Sequence, residues 1–186
     1  MSNRFLLFLS IITIFVFSSC SNAVKEKQLA KIDSLMAIID TASCNLNKIN
    51  IDTVSKRYET YKATNKRVAE HYQKYRNEEN WKYLCAYNNV RKPFKTMFLQ
   101  YGTYKTELIS SKKQLEDLKH DVANKLISEE EFHSFFIIES KSANDLSFKI
   151  NMQVEMVLSQ YKNFDTVHPY LIKLIDSYTE NQNSKK

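Results

Sequence analysis

Apolar residues recur at helical spacing along most of the chain that follows residue 24. On the first predicted helix, Val24–Ser43, they form a single face. On the second, with Asp52 near its N-cap and its end at about Arg76, they recur every seven residues, which keeps one seam against a partner helix. Asparagine-rich turns are predicted at 45–50 and 77–80. The two apolar faces consist of Leu29, Ile32, Leu35, Met36 and Ile39, and of Val54, Tyr61, Val68 and Tyr75.

The third predicted helix is the longest, and its seven-residue repeat continues through Pro93 without a change of register. Proline removes a backbone donor, so Pro93 either kinks one helix or divides two nearly collinear helices. The main seam contains Tyr87, Phe94, Tyr101, Leu108, Leu115 and Val122, and the second seam contains Tyr83, Val90, Met97, Tyr104 and Leu118.

A strong helix-start signal follows directly. Ser128, with Glu131 three residues later, predicts a capping box at the start of helix 4. Helices 3 and 4 should therefore form a tight antiparallel hairpin. We expect helix 4 to run for about 35 residues, or about 52 Å. Asp165 is then a candidate N-cap for a last helix that tolerates Pro169 in its first turn.

These elements predict an all-α fold, an elongated antiparallel helical bundle of four to five helices with a long coiled-coil-like hairpin. One glycine and two prolines in 186 residues agree with few, long elements. We expect a separate leader at 1–19, a tether at 20–27, the helical bundle at 28–179 and a disordered tail at 180–186. The helix lengths predict that the Leu108–Leu146 hairpin projects with its tip pointing away from the membrane.

The first residues have the order of an export signal. Arg4 is the only charged side chain before Ser19, and the apolar run Phe5–Phe17 follows it. This run of 13 residues is too short to span a hydrocarbon core.

The end of that run, Phe17-Ser18-Ser19-Cys20, resembles the lipobox of bacterial lipoproteins in the relaxed form found in Bacteroidota. It departs from the common pattern at Phe17 and Ser19. The resemblance implies that the Cys20 sulfur receives a diacylglycerol, that the signal is cut before Cys20, and that the new N-terminus is acylated. Several acyl chains give a near-permanent anchor in a lipid bilayer. The alternatives are a secretory signal in which Cys20 is incidental, and an uncleaved signal anchor.

Surface lipoproteins of the Bacteroidota type usually carry acids directly after the cysteine, and this chain lacks such a run. By resemblance, this favours a membrane-anchored protein of the cell envelope that faces the periplasm. The net charge of +6 is spread along the helices, so we expect no nucleic-acid partner and only weak attraction to anionic lipids.

Cys44 and Cys85 are an even pair in an exported chain, which invites a disulfide. They lie near opposite ends of helix 2, however, about 37 Å apart at 1.5 Å per residue. A disulfide requires Cα atoms within about 7 Å. We therefore predict two free thiols, each packed as a small buried hydrophobe.

The start of helix 4 is unusually apolar, and its large side chains span more than one stripe of the helix. One interpretation is a contact surface for a protein partner, or for self-association, at the 108–146 hairpin. The alternative is that the rest of the chain covers this tip. The candidate surface consists of Phe132, Phe135, Phe136, Ile137 and Ile138.

Chemical sites are weakly indicated. Glu130 and His133 have the Glu-x-x-His spacing of carboxylate-bridged metal bundles, and Glu116 and His120 lie at a similar height on helix 3. Such sites use two inward-facing copies of the motif, so we interpret these residues as solvated charges. We predict no metal, no cofactor and no catalytic residue, hence no enzyme.

The leading functional hypothesis is a lipid-anchored envelope lipoprotein that acts as a protein–protein interaction or scaffold module. A tyrosine-rich half of the bundle, which also carries Trp81, supports an alternative. In that alternative, this half binds a small ligand or a glycan. The simpler interpretation of the tyrosines is a core with a wet edge.

Overall fold

The computed structural model describes the backbone of residues 3–70 and 77–183 and the side chains of residues 22–70, 77 and 79–178. The regular structure in these ranges is entirely helical, which confirms the predicted all-α fold. The predicted end of helix 2 at Arg76 and its core residue Tyr75 lie outside the described residues. The helices are α1 (Asn3–Leu46), α2 (Ile51–Glu70), α3 (Glu78–Asn89), α4 (Arg91–Ala123) and α5 (Glu129–Asn183).

Asparagine side chains cap two of these helices. Asn50 Oδ1 accepts a hydrogen bond from the Thr53 amide at 2.9 Å, so Asn50 caps α2. The prediction of Asp52 near the N-cap placed the helix start slightly late, since Asp52 lies within the first turn. Asn77 caps α3 in the same way, through a 2.7 Å bond from the Asn80 amide. The predicted turn at 77–80 is therefore the first turn of α3.

The predicted capping box at the start of α5 is present. The Ser128 amide donates to Glu131 Oε2 at 2.8 Å, and the Glu131 amide donates to Ser128 Oγ at 3.2 Å. Two amides that the helix leaves unpaired are thereby satisfied. The bond from the Ser128 amide, together with a 2.8 Å bond from the Ser128 hydroxyl, lowers the pKa of the Glu131 carboxyl.

The connection between α4 and α5 closes α4 with a Schellman motif. The Leu126 amide donates to the Asp121 carbonyl at 2.9 Å, and the Lys125 amide donates to the Val122 carbonyl at 3.2 Å. Lys125 takes the left-handed conformation that this motif requires, with φ of 55°. Glycine is the usual residue at this position because a Cβ atom is strained there.

Pro93 accompanies a division of the third predicted helix, which was one of the two predicted outcomes. Val90 separates α3 from α4 and keeps helical backbone angles, φ −65° and ψ −30°. Pro93 is buried, and its carbonyl accepts a 2.8 Å hydrogen bond from Gln153 Nε2 on α5. The two helices are therefore separated by a single residue.

The predicted break before a last helix is wrong. α5 continues from Glu129 to Asn183 with Pro169 inside it. Asp165 caps nothing and instead forms an ion pair with Arg57 at 2.8 Å. Pro169 lies on the exposed side of α5, while Val167 and Leu171 on either side of it are buried. Packing of these two residues offsets the cost of proline in a helix interior.

Two segment boundaries also differ from expectation. Residues 20–27, predicted as a tether before the bundle, belong to α1. The tail predicted to be disordered from residue 180 is helical as far as Asn183, and residues 184–186 lie outside the described range.

The chain divides into two compact units. Unit 1 comprises the residues up to Thr41 together with Glu107–Ser147. α1 and α4 are antiparallel in this unit, because Lys112 pairs with Asp40 and Lys119 pairs with Asp33. Its buried apolar residues are Ile32, Leu35, Ile39, Leu108, Leu115, Leu118, Val122, Phe132, Ala143 and Leu146.

Unit 2 comprises Ala42–Thr106 and the residues from Phe148 onward. Ion pairs from Arg57 to Asp165 and from Arg67 to Asp176 place α2 and α5 parallel to each other. The predicted seams of helices 2 and 3 supply part of its core, while Tyr83, Tyr101 and Tyr104 of the helix 3 seams are only half-buried. The largest contributors are Val54, Tyr61, Tyr87, Phe94, Met97, Ile150, Val157, Phe164, Leu171 and Ile175.

The two remaining cysteines are free. The prediction that each is buried is wrong, since both Cys44 and Cys85 are exposed. Sequence periodicity placed both near helix ends, but it did not show which side of the helix each thiol occupies.

Candidate functional site

The candidate lipidation site, Cys20, belongs to the helical backbone of α1, but its side chain lies outside the described side chains. The predicted signal peptide at 1–19 lies outside them as well. Over the described part of the chain, no helix combines the length and apolar character that crossing a membrane requires. The lipid anchor therefore remains a hypothesis based on the lipobox resemblance.

The five residues of the predicted contact surface divide into two groups. Phe132 is 4% exposed and stacks on the half-buried Phe136, with ring centroids 5.4 Å apart. These two rings belong to the packing of unit 1, and the Lys31 ammonium lies 5.7 Å from the centroid of Phe136. α1 therefore covers this part of the tip, as the alternative interpretation expected.

The other three residues remain on the surface. Phe135, Ile137 and Ile138 are exposed, Ile138 at 63%. Ile109 on α4, in the same unit, is 72% exposed. We refer to these four residues as the exposed apolar face of unit 1, although Phe135 and Ile137 lie about 160° apart around α5. It is narrower than the predicted surface because α1 occupies the remainder.

The hairpin tip lies beside Val24 and Gln28 of α1 rather than far from Cys20, which corrects the sequence-based expectation. Val24 and Gln28 of α1 line a groove together with Val122, Lys125 and Ile127 of the hairpin. The α4–α5 connection therefore lies beside the residues that follow Cys20. The antiparallel pairing of α1 with α4 produces this arrangement.

A second groove of about 610 Å³ lies beside the first in unit 1. Lys27 and Lys31 come from α1, and Glu129 and Glu130 from the first turn of α5. Phe132 and His133 also line it. This mixed-charge groove had no separate signal in the sequence, because its two walls are about 100 residues apart in the chain.

The tyrosines of unit 2 are largely occupied within the protein. Tyr61 is 2% exposed, and its hydroxyl donates to Asn88 Oδ1 at 2.9 Å. The Tyr170 hydroxyl donates to Asn80 Oδ1 at 2.7 Å. Tyr83 stacks on Tyr170 with ring centroids 3.9 Å apart. These contacts support the interpretation of the tyrosines as a core with polar edges.

Tyr87 and His168 form another polar contact of this cluster. The Tyr87 hydroxyl lies 2.9 Å from His168 Nδ1. Burial raises the pKa of Tyr87 to about 12. Burial also lowers the pKa of His168, because it disfavours the charged imidazolium.

A separate groove of about 360 Å³ lies on unit 2. α2 supplies Asn65, Val68 and Ala69 to its walls, and α3 supplies Trp81, Leu84, Cys85 and Asn88. The indole of Trp81 is 49% exposed. Tyr61 fixes the amide of Asn88 at the rim. The sequence predicted a binding half around the tyrosines, but the groove is formed mainly by the residues beside them.

The Glu-x-x-His residues do not converge. His133 and Glu130 are both exposed on α5, and Glu116 and His120 are exposed on α4. Among the described residues, no group of three or more histidine, cysteine, aspartate or glutamate side chains is arranged to hold a metal ion. Glu139 of α5 is half-buried, and burial raises the pKa of its carboxyl.

Comparison of the chain with protein-family models, with curated proteins and with solved structures gave no match.

Proposed function

We propose that this protein is a lipid-anchored lipoprotein of the bacterial cell envelope, held by acyl chains on Cys20 and facing the periplasm. Its role is contact with another protein or with a second copy of itself, through the exposed apolar face of unit 1. The proposal assigns no catalytic residue and no cofactor.

The exposure of Ile138, Ile137 and Phe135 on one short stretch of α5 is the observation that carries this proposal. Unit 1 already has a continuous core, to which α5 contributes Phe132, Ala143 and Leu146. The three exposed side chains are therefore not needed to close that core. Several exposed apolar residues within one short stretch mark a contact site more often than a single exposed residue does.

The anchor is tested by fractionation and mass. Cys20→Ser should move the protein from the membrane fraction to the soluble fraction, and the intact mass of the wild type should include the acyl chains. Retention of the Cys20→Ser variant in the membrane fraction, without acyl mass on the wild type, would contradict the lipoprotein assignment.

The contact face is tested by photocrosslinking in cells. A photoreactive residue at Ile138 should give a discrete crosslinked product, and Phe135→Ser should weaken that product. The matched control is the same photoreactive residue at Asn144, which is exposed on α5 but polar. Equal products from both positions would count against a specific contact face.

The groove beside Trp81 favours a second candidate function, the binding of a small neutral ligand such as a sugar ring. A half-exposed indole offers an apolar platform, and the amides of Asn65 and Asn88 offer donors and acceptors at the rim. Trp81 is the only tryptophan of the chain. Its fluorescence therefore reports directly on this groove during a titration with monosaccharides. Asn88→Ala should remove any saturable change, while Asn144→Ala should leave it intact.

A further inference from the structure

The mixed-charge groove keeps opposite charges on opposite walls. Lys27 and Lys31 are four residues apart on α1 and therefore lie on the same side of that helix. Glu129 and Glu130 stand on the α5 wall. The groove therefore presents two cations on one side and two anions on the other.

These charges are not used to join the two helices. Between α1 and α4 of the same unit, Lys112 reaches Asp40 at 2.7 Å and Lys119 also pairs with Asp33. Among the described side chains, Lys27, Lys31, Glu129 and Glu130 form no such ion pair across the groove. A volume of about 610 Å³ separates the walls instead. That volume is within the range of small-molecule sites.

The charge pattern selects the chemistry of a ligand. A purely anionic ligand would be attracted by the two lysines and repelled by the two glutamates. A purely cationic ligand would be attracted by the glutamates and repelled by the lysines. A zwitterion with a phosphate and an ammonium group satisfies both walls, because lysine binds phosphate as a point charge and a carboxylate binds ammonium. Phe132, which is almost fully buried, supplies an apolar surface beside these charges.

The position of the groove selects the source of that ligand. Val24, which lines the groove, is four residues after Cys20 on the same helix. At 1.5 Å per residue, the groove begins about 6 Å from Cys20 along the axis. A bilayer is about 40–45 Å thick in total and its hydrocarbon core is about 30 Å thick, which leaves about 5–8 Å for the polar headgroup layer on each side. Beside an acylated Cys20, the groove therefore begins at the level of the lipid headgroups and extends from there to Lys31, about 16.5 Å from Cys20 along the axis.

We propose that the mixed-charge groove binds the headgroup of a zwitterionic aminophospholipid, of the phosphoethanolamine class, from the bilayer that holds Cys20. Lys27 and Lys31 donate to the phosphate, and Glu129 and Glu130 accept from the ammonium. A noncovalent lipid beside the covalent anchor fixes how unit 1 faces the membrane. This inference rests on the proposed lipid anchor.

Mass spectrometry of the full-length protein purified from the membrane fraction tests both statements separately. Under denaturing conditions, the mass reports the acyl chains on Cys20 alone. Under native conditions in detergent with added phosphatidylethanolamine, the mass also reports a retained lipid. Missing acyl mass overturns the anchor, while acylated protein without retained phosphatidylethanolamine overturns the groove.

Two double variants locate the lipid. Lys27→Ala/Lys31→Ala and Glu129→Gln/Glu130→Gln should each reduce phosphatidylethanolamine retention about tenfold or more, the effect of about 1.4 kcal/mol. Lys92→Ala/Lys95→Ala, a pair exposed on α4 outside the groove, should have no effect. Circular dichroism should show unchanged helix content in all three.

Competing probes distinguish the ligand class. Phosphatidylglycerol has the phosphate but no ammonium, and it should be retained about tenfold less than phosphatidylethanolamine. Inorganic phosphate should not displace phosphatidylethanolamine. Equal retention of the two lipids, or equal retention by the wild type and by both double variants, would show that the groove is not a zwitterion site.

Discussion

The Nδ1 atom of His168 on α5 lies 2.9 Å from the hydroxyl oxygen of Tyr87 on α3. The imidazole also stacks on Phe164, with ring centroids 4.9 Å apart. A neutral imidazole suits this position, because the tyrosine hydroxyl then donates to Nδ1 and no charge is placed against the aromatic core.

This contact predicts a loss of stability in mild acid. The folded-state pKa of His168 is lower than its ordinary value of 6.5, so the unfolded chain binds a proton more readily. The neutral His168 therefore contributes to the free energy of unfolding above pH 6.5, and this contribution is lost as the pH falls through its folded-state pKa. Tyr87, the titratable group facing His168, stays neutral in this window because its pKa is about 12.

The measurement is the thermal midpoint at pH 7.5 and pH 5. Because the imidazole is only half-buried, solvent screens part of the penalty. We expect the wild type to lose about 2–4 °C more than His168→Phe over this range. His133→Gln, which changes an exposed histidine, should follow the wild type. Parallel pH profiles for wild type and His168→Phe would refute a buried neutral histidine.

Lys125 predicts a stabilising substitution. Its left-handed backbone, φ 55°, strains any residue with a Cβ atom. Lys125→Gly should therefore raise the free energy of unfolding by about 0.5–1 kcal/mol in urea denaturation. Lys125→Ala is the matched control, since it removes the same side chain beyond Cβ but retains the strain. The prediction fails if the glycine and alanine variants unfold at the same urea concentration.

Ser111 predicts a second stabilising substitution, in the core of unit 1. The side chain is 4% exposed, and its Oγ has no hydrogen-bond partner among the side chains and backbone that the structure describes. On folding, this hydroxyl loses its hydrogen bonds to water and gains none from the protein. Ser111→Ala removes the hydroxyl and should stabilise the protein by about 1 kcal/mol. Ser110→Ala, at an exposed neighbouring position, should show only the small gain in helix propensity. Equal gains at both positions would mean that the Ser111 hydroxyl is satisfied in solution.

The capping box of α5 predicts a destabilising substitution. Ser128→Ala removes the oxygen that accepts from the Glu131 amide and should cost about 1 kcal/mol. Ser134→Ala removes an exposed hydroxyl that only bonds the Glu130 carbonyl within the helix, and should cost almost nothing. Urea midpoints of the two variants compare them directly, and indistinguishable midpoints would contradict the role of the cap.

Gln153 holds α5 against the start of α4 in unit 2. Its side chain is 4% exposed, and its Nε2 donates to the Pro93 carbonyl at 2.8 Å. Gln153→Met keeps the size of the side chain but removes the donor, and should cost about 1–3 kcal/mol in unfolding free energy. Gln114→Met, on the exposed side of α4, provides the control. A neutral Gln153→Met would show that the Pro93 carbonyl does not depend on this bond.

The sequence correctly predicted those features of the fold that depend on neighbouring residues. The Ser128–Glu131 capping box, the hairpin connection and the seams of α2 to α4 each depend on residues within one or two turns of one another. The helix division beside Pro93 was among the predicted outcomes for the same reason. Asp165 and Pro169 wrongly predicted the start of a separate last helix. The packing of Val167 and Leu171 keeps α5 continuous despite this local signal.

The sequence by itself determined that this chain is helical, which side of each long helix is buried, and where the hairpin turns, because helical periodicity and capping are properties of neighbouring residues. Only the tertiary structure decided that α1 packs against α4, with Asp33 and Asp40 paired to lysines about 70 to 90 residues away. A repeated apolar seam fits several partners equally well, so the choice depends on these distant contacts. The pairing of α1 with α4 also places residues Val24 to Lys31 of α1 beside the hairpin tip and so forms the mixed-charge groove.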